Sequence, residues 1–245
     1  MRQPWIIAHR GASGYAPENT LAAFRAAVEM GATFIETDLH MTRDAQFVAI
    51  HDSNLQRTTN GTGAVRDMTL AQLKDLDAGR WFDHGFIGER VPTLEEILAF
   101  GRQHDVVFYL ELKYEAAWGM HHALAAALRS SGDVARSIVL SFDPGTLDSL
   151  LKHDPTVMTG LLVEEVRPDT VRTAVGVGAR QLCPRGDLIS EDLVNQAHLA
   201  DLQIATWTLN QADQIRRVIA AGVDGIMTDF PDRLRTVMQH LEPED

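Results

Sequence analysis

The chain has 245 residues, enough for one large α/β domain, and its 45% hydrophobic and 23% charged residues are typical of a soluble globular protein. Its 22 Lys and Arg residues against 34 Asp and Glu residues give a net charge of −12, which argues against a nucleic-acid or anionic-membrane partner held by a basic surface. The lone cysteine, Cys183, excludes an intrachain disulfide and a cysteine metal cluster, and we expect it to be a small buried side chain.

Targeting and membrane signals are weak in this sequence. No apolar run approaches the ~18 residues that a membrane span requires, and the apolar run near residue 5 is shorter than a secretory signal. We therefore expect a cytoplasmic protein with no membrane span; a secreted protein lacking its signal is the alternative. No surface stripe indicates a subunit interface, so the oligomeric state stays open.

Strand-like and helix-like segments alternate along most of the chain. Hydrophobic periodicity predicts buried extended segments at residues 5–9, 33–39, 46–50, 106–112, 137–142, 157–163, 180–183, 203–208 and 225–228. Helical periodicity predicts helices at residues 17–30, 93–103, 116–130, 144–153, 168–175, 191–200, 211–221 and 232–241, with a short helix near 70–76. The helix at 93–103 begins with a capping box, in which Thr93 is the N-cap and Glu96 lies three residues later.

This alternation indicates a parallel sheet. Close to eight strand and helix units in a single domain of residues 1–245 favour a closed (β/α)8 barrel over an open doubly wound sheet. No Gly-x-Gly-x-x-Gly motif opens the first helix, so a dinucleotide fold has little support. The rhythm breaks only between about residues 52 and 92, a stretch that we interpret as an inserted segment.

Two carboxylates lie in the second predicted strand. Side chains alternate along a strand, so Glu36 and Asp38 share one face of an otherwise apolar segment. Two like charges there are costly unless a positive charge lies between them. A divalent cation would serve, as would Arg or Lys partners, and this segment alone does not separate the two.

Polar residues collect at the carboxyl ends of the predicted strands, where active sites of such barrels lie. The endings are His9-Arg10, Glu36-Thr37-Asp38, Glu111-Leu112-Lys113, Trp207-Thr208 with Asn210, and Thr228-Asp229. Glu111 with Glu36 and Asp38 would supply three hard oxygen ligands, which suit Mg²⁺ or Ca²⁺ rather than zinc. The alternative for Glu111 is a local ion pair with Lys113 and no metal.

His9 and His51 are the two histidines predicted at strand ends beside these carboxylates, and two imidazoles there can divide the roles of general acid and general base. We expect the other eight histidines, such as His121 and His240, on the surface. His51-Asp52 read alone is equally consistent with a turn.

Three further residues are candidates for the site. Arg10 could bind a phosphate or carboxylate bidentately, and Gly11 after it allows the strand to end there. Glu18 lies in the predicted opening turn of the first helix, where it would complement the helix dipole or orient Arg10 or the metal. Trp207 could stack on a ligand or be a core aromatic.

Taken together, the motifs resemble those of the glycerophosphodiester phosphodiesterase family, in its bacterial, soluble cytoplasmic form. They are H-R-G-A-S-G-Y-A-P-E-N-T-L-A-A-F from His9, E-T-D from Glu36, H-D at His51, R-T-T-N-G-T-G from Arg57, E-L-K from Glu111, S-F at Ser141, W-T-L-N from Trp207 and G-V-D-G-I-M-T-D from Gly222. The order and spacing of these motifs, more than any one of them, are specific, and they run from about residue 6 to 233.

The resemblance implies a TIM barrel with an insertion after its second strand, and hydrolysis of a glycerophosphodiester, such as glycerophosphocholine or glycerophosphoethanolamine, to glycerol 3-phosphate and an alcohol. The roles that it implies are an acid and base pair of His9 and His51, one divalent cation on Glu36, Asp38 and Glu111, phosphate contacts from Arg10 and Lys113, a glycerol pocket with Trp207, and support from Glu18. Water or the substrate's own 2-hydroxyl is the nucleophile.

Two other functions stay open from the sequence. One is a lysophospholipase D or a cyclising phosphodiesterase on the same barrel. The other is a non-catalytic barrel that binds phosphoesters. The segment 163–177 matches no diagnostic motif, and it flanks the barrel mouth, so the identity of the leaving alcohol is not readable.

Overall fold

The apolar, β-rich segments of the sequence form parallel strands in the structure, a computed structural model that describes residues 3–113 and 119–241. The strands within this part of the chain are β1 Trp5–His9, β2 Phe34–Met41, β3 Phe47–Ala49, β4 Val107–Leu112, β5 Ser137–Ser141, β6 Met158–Val163, β7 Gln181–Pro184, β8 Gln203–Thr206 and β9 Gly225–Thr228.

Eight of these strands close into a parallel barrel. Each strand pairs with the next around the ring, in the order β1, β2, β4, β5, β6, β7, β8 and β9, and β9 returns to pair with β1. The (β/α)8 barrel predicted from the alternation is therefore confirmed. β3 is the exception, because it pairs antiparallel to the far end of β2, with Met41 opposite Phe47.

Helices follow the barrel strands. They are α1 Leu21–Glu29, α2 Leu70–Lys74, α3 Leu94–His104, α4 Met120–Ser131, α5 Pro144–His153, α6 Thr170–Gly176, α7 Glu191–Leu199, α8 Ala212–Ala220 and α9 Pro231–Gln239. The predicted capping box is confirmed: the Glu96 amide donates to Thr93 Oγ1 at 3.2 Å, and the Thr93 amide donates to Glu96 Oε2 at 2.8 Å. The first residues of the helix predicted at 116–130 lie outside the described residues.

The first helix begins later than the sequence predicts. The expected start at residue 17 is wrong, because Asn19 has a left-handed backbone with φ of 57° and Thr20 is the N-cap of α1. The Thr20 side chain accepts a hydrogen bond from the Ala23 amide at 3.2 Å. Glu18 therefore precedes the helix and is free to take other partners.

Apolar side chains fill both sides of the barrel wall. Inside, a small cluster includes Tyr109, Leu140, Cys183 and Met227, all nearly inaccessible to solvent. Outside, Phe24 and many other side chains pack between strands and helices, where full burial of a Leu or Phe side chain contributes about 1.5–3 kcal/mol. Cys183 is buried, as the sequence predicts.

Between β3 and α3 the chain forms a compact excursion with an apolar cluster of its own, which includes Leu55, Val65 and Leu73. Lys74 of this excursion forms an ion pair with Glu96 of α3 at 2.7 Å. Among the described residues, no helix combines the length and apolarity needed to cross a bilayer.

Candidate active site

Strand register brings three carboxylates together at the carboxyl end of the barrel. Asp38 of β2 lies opposite Glu111 of β4, and Glu36 lies two residues earlier on the same face of β2. Ligand oxygens of the three residues all lie within 4.8 Å of one another. The residues are 2% (Glu36), 1% (Asp38) and 8% (Glu111) exposed, so water does little to screen their mutual repulsion.

Protonation relieves part of that repulsion. Burial and the neighbouring charges of Asp38 and Glu111 raise the pKa of Glu36 well above its ordinary value. Burial, with the charge of Asp38, raises the pKa of Glu111 to about 7. Burial acts in the same direction on Asp38, but the charges of Lys113 and Arg10 outweigh it and lower the pKa of this carboxyl.

This donor set fits a hard divalent cation. Carboxylate oxygens are the ligands that Mg²⁺ and Ca²⁺ prefer, and Glu36 Oε1 is buried without a hydrogen-bond partner among the described residues. A buried, unpartnered oxygen is costly, and coordination would satisfy it. Glu36, Asp38 and Glu111 could therefore hold an ion.

Two cationic side chains flank the carboxylates. Lys113 Nζ lies 2.7 Å from Asp38 Oδ1 and 2.6 Å from Glu111 Oε1. Arg10 Nε lies 3.2 Å from Asp38 Oδ2. The ion pair between Glu111 and Lys113 considered from the sequence is therefore present, and it lies within the larger cluster.

The backbone at Arg10 is part of the same arrangement. Arg10 follows β1 in a left-handed conformation with φ of 57°, and its amide donates to Glu36 Oε2 at 3.0 Å. Gly11 follows with φ of 83°, and a Cβ there would lie 2.7 Å from backbone and side-chain atoms of Ala23. This turn lets successive residues, His9 and Arg10, serve one site.

His9 is held by a carboxylate from the other end of the sequence. Its Nδ1 lies 2.7 Å from Oδ1 of Asp229, which immediately follows β9. Asp229 also accepts hydrogen bonds from Ser13 Oγ at 2.9 Å and Asn210 Nδ2 at 2.6 Å. Burial opposes the charge of Asp229, but its hydrogen bond with His9 helps to lower its pKa to about 2. Because Asp229 binds Nδ1, the Nε2 atom of His9 stays available to the cavity. His9 Nε2 lies 4.0 Å from Glu36 Oε2.

His51 has the same arrangement on the opposite side. β3 runs back toward the barrel mouth, and two residues beyond it His51 Nδ1 lies 2.7 Å from Asp52 Oδ1. Burial, together with the charges of Arg10 and Lys113, lowers the pKa of His51 despite the opposing effect of Asp38. His51 is thus held as a neutral imidazole at neutral pH.

Arg57, in the segment between β3 and α3, links this histidine to the phosphate-binding candidates. Its guanidinium donates to Asp52 Oδ2 at 2.7 Å and to both oxygens of Glu18 at 2.8 and 2.7 Å. Glu18 in turn accepts from Arg10 Nη1 at 2.9 Å. Glu18 therefore orients cations; the alternative role in the first turn of α1 is wrong, because that helix begins three residues later.

The site residues surround a cavity of about 140 Å³. Its lining includes seven of the residues singled out from the sequence, His9, Arg10, Glu36, His51, Glu111, Lys113 and Trp207. Asp38 lies behind them against Arg10 and Lys113. Trp207 is fixed by its indole N–H, which donates to the Cys183 carbonyl at 2.8 Å, and its ring packs perpendicular to that of Phe142.

Several residues of this network were not assigned a role from the sequence. Asp229 and Asp52 were noted beside Thr228 and His51 at strand ends, but as partners of the two histidines they were not predicted. Asn19, whose amide donates to Asp38 Oδ2 at 2.7 Å, and Arg57 carry no periodic signal. One surface assignment is wrong: His40 is buried, with Nε2 3.1 Å from the His51 carbonyl oxygen.

Comparison with known proteins agrees with this geometry. The sequence model of the glycerophosphoryl diester phosphodiesterase family matches residues 9–233. A glycerophosphodiester phosphodiesterase of Caldanaerobacter subterraneus is 38% identical over 231 residues, covering 94% of this chain and 95% of the relative.

Solved structures agree at the level of the fold and of the sequence. A glycerophosphodiester phosphodiesterase from Agrobacterium tumefaciens has a TM-score of 0.85 and 30% identity, covering 96% of this chain and 100% of that one. An Oleispira antarctica phosphodiesterase, solved with its product sn-glycerol-3-phosphate, has a TM-score of 0.88 and 28% identity over 97% of both chains. The family model and the relatives match most of the chain, including the carboxylates, cations and imidazoles of the cluster. The chain belongs to the glycerophosphoryl diester phosphodiesterase family.

Proposed function

We propose that the protein hydrolyses glycerophosphodiesters, such as glycerophosphocholine and glycerophosphoethanolamine, to sn-glycerol 3-phosphate and an alcohol. Family membership and the product held by the Oleispira antarctica relative support this reaction. The arrangement of His9 and His51 carries the mechanism: each has a carboxylate at Nδ1, and both line the cavity that contains the carboxylates and cations.

Arg10 and Lys113 bind the phosphodiester in this proposal. Both line the cavity. Burial opposes their charge, but the neighbouring carboxylates, Asp38 foremost, together outweigh it and raise the pKa of both groups, so both stay charged at neutral pH. Their charges compensate the anion and the further charge that develops on its oxygens during the displacement. Glu36, Asp38 and Glu111 would hold one Mg²⁺ or Ca²⁺. When bound, this ion supplies Lewis-acid stabilisation of the same oxygens.

The two histidines move the protons. One imidazole accepts a proton at Nε2 from the attacking hydroxyl or water, and the other donates a proton from Nε2 to the departing alkoxide. Asp229 and Asp52 each accept a hydrogen bond from the Nδ1–H of their histidine. The base begins as a neutral ring with Nε2 free and becomes an imidazolium, whereas the acid begins as an imidazolium, with protons on both nitrogens, and becomes neutral. Each carboxylate stabilises the charged form of its ring. Trp207, held by the Cys183 carbonyl, would line the pocket for the glycerol moiety.

The inserted segment at residues 52–92 belongs to the same catalytic unit in this proposal. Arg57 supports this, because it contacts the partner of His51 and the partner of Arg10 at once. We therefore treat the chain as one phosphodiesterase domain with an insertion after the second barrel strand.

The decisive experiment measures release of sn-glycerol 3-phosphate from glycerophosphocholine, with Mg²⁺ or Ca²⁺ in parallel, for the wild type and for His9→Ala and His51→Ala. We expect turnover by the wild type, its loss on chelation, and a drop of about 10²–10⁴-fold in kcat for each variant. His198→Ala is a matched control, because His198 also pairs with a carboxylate, Asp224 at 2.9 Å, but on an outer helix.

Near-wild-type kcat in both active-site variants would contradict the assigned acid and base pair. Phosphorus NMR of the product mixture separates the two nucleophiles. Direct attack by water gives sn-glycerol 3-phosphate alone, whereas attack by the 2-hydroxyl gives a transient cyclic phosphate.

A further inference from the structure

A groove of about 430 Å³ lies beside the active-site cavity, at the loop that joins β6 to α6. Phe142, Leu162 and Glu164 line both spaces. A substrate whose phosphate lies between Arg10 and Lys113 can therefore extend one substituent past these three residues into the groove. This is the part of the barrel mouth that carries no recognised motif.

Glu164 carries a negative charge where the active-site cavity meets the groove. It follows β6 directly, it is exposed, and it makes no hydrogen bond or ion pair within residues 3–113 and 119–241. The next residue, Glu165, is neutralised by Arg167 at 2.8 Å. Arg185 lies in the field of Glu164 but is held by Asp187 through contacts of 2.7 and 3.0 Å.

An aromatic surface faces the same junction. Phe142 is 37% exposed, so part of its ring is available to a ligand. Its ring centroid lies 5.5 Å from that of Trp207, with the ring planes at 86°. A carboxylate beside an aromatic ring suits an organic ammonium group, which is attracted by the charge of one and by the π-electrons of the other.

The site is therefore polarised along its length. Arg10 and Lys113 suit the phosphate at one end, and Glu164 offers an uncompensated negative charge at the other. Resting on the hydrolysis proposed above, we propose that the groove with Glu164 and Phe142 is the subsite for the leaving alcohol, and that it favours alcohols that carry an ammonium group. Zwitterionic diesters then match both ends of the site, and diesters with a neutral alcohol match one end only.

The test compares glycerophosphocholine, which has a cationic alcohol, with glycerophosphoglycerol, which has a neutral one. The measured quantity is the ratio of kcat/KM for the first substrate over the second. We expect a wild-type ratio above one, and a ratio lowered about three- to tenfold in Glu164→Gln, because an exposed charge pair makes a modest contribution. Glu164→Lys should lower it further and reverse the preference. Phe142→Leu, which keeps the apolar bulk, should lower it less.

Glu29→Gln is the control, since it removes an exposed carboxylate of α1 that does not line the groove. Its ratio should stay at the wild-type value. An equal fall in Glu164→Gln and Glu29→Gln would overturn the subsite, because it would indicate a general effect of surface charge. An unchanged ratio in Glu164→Gln would overturn the subsite and leave the hydrolytic function intact. A wild type that cleaves neither diester would overturn both proposals.

Discussion

His9 Nδ1 lies 2.7 Å from Asp229 Oδ1, although the two residues are 220 positions apart in the sequence. The contact exists because β1 and β9 are neighbours in the closed barrel, so the first and last barrel strands end side by side. Replacement of Asp229 by Asn keeps the size but removes the charge that holds the Nδ1–H tautomer. We expect Asp229→Asn to lower kcat at least about 10²-fold with little change in the far-UV circular dichroism spectrum. Steady-state kinetics near the wild-type values would show that Asp229 does not orient the imidazole.

Arg57 gives a second prediction, about positioning. Within the described residues it forms no hydrogen bond or ion pair with the carboxylate cluster, but it holds Asp52 and Glu18 together. We expect Arg57→Ala to lower kcat and also to raise KM, because it loosens both His51 and Arg10. Arg57→Lys should recover only part of the loss, since an ammonium group cannot reproduce the forked contacts.

The control for Arg57 is Arg25→Ala, which removes an exposed arginine paired with Glu89 at 3.1 Å. Its kinetic constants should match those of the wild type. Arg57→Ala with both kinetic constants unchanged would contradict the positioning role.

Cation binding should release protons. In the cation-free protein, burial and Asp38 raise the pKa of Glu111 to about 7, so this carboxyl holds a proton below neutrality. Burial and the charges of Asp38 and Glu111 also raise the pKa of Glu36, so it keeps its proton to a higher pH than an ordinary glutamate. Coordination requires the ionised forms. We expect the apparent affinity for Mg²⁺ or Ca²⁺ to rise as the pH is raised through about 7 and then to level off. Titration calorimetry in buffers of different ionisation enthalpy measures the protons directly, and a heat independent of the buffer would rule out this linkage.

The raised pKa of Glu111 also predicts that this residue lowers the stability of the cation-free protein at high pH. Its ordinary pKa is 4.5 and its folded-state pKa is about 7, so between these values the folded state holds a proton that the unfolded state has lost. Stability therefore falls as the pH rises through this window, and the cost is fully present above it. We expect Glu111→Gln to raise the free energy of unfolding of the cation-free protein by about 1–3 kcal/mol at pH 8 and by much less at pH 5.

Urea denaturation with EDTA measures this difference, and Glu29→Gln on the exposed side of α1 is the control. A Glu111→Gln variant that is less stable than the wild type at pH 8 would contradict the prediction. In that case the ion pair with Lys113 would outweigh the cost of burying the charge.

Hydrophobic periodicity was sufficient to predict the barrel, because each strand and helix contributes a local pattern. It failed where a side-chain contact outweighed the pattern. Residues 17–20 have the composition of a helix start, but Asn19 adopts a left-handed backbone and hydrogen bonds to Asp38, which delays the helix to Leu21. The antiparallel direction of β3 was likewise not predicted, because periodicity does not indicate which neighbour a strand pairs with.

For the site, the rule that polar residues gather at strand ends placed His9, Glu36, Asp38 and Glu111 correctly on one rim. Arg57 could not be found in this way. It was identified by its two contacts, with Glu18 and Asp52, and such contacts depend on the folded path of the long segment between β3 and α3.

Strand register has one more consequence. His9 pairs with Glu36 between β1 and β2, and Asp38 pairs with Glu111 between β2 and β4. A slip of one residue along β2 would turn both of its carboxylates out against the helices and put Thr37, with either Ile35 or Leu39, in their places. Turnover therefore requires the correct register of β2 with both of its neighbours. During refolding, recovery of activity should thus mark the moment when the first, second and third barrel strands lock into alignment.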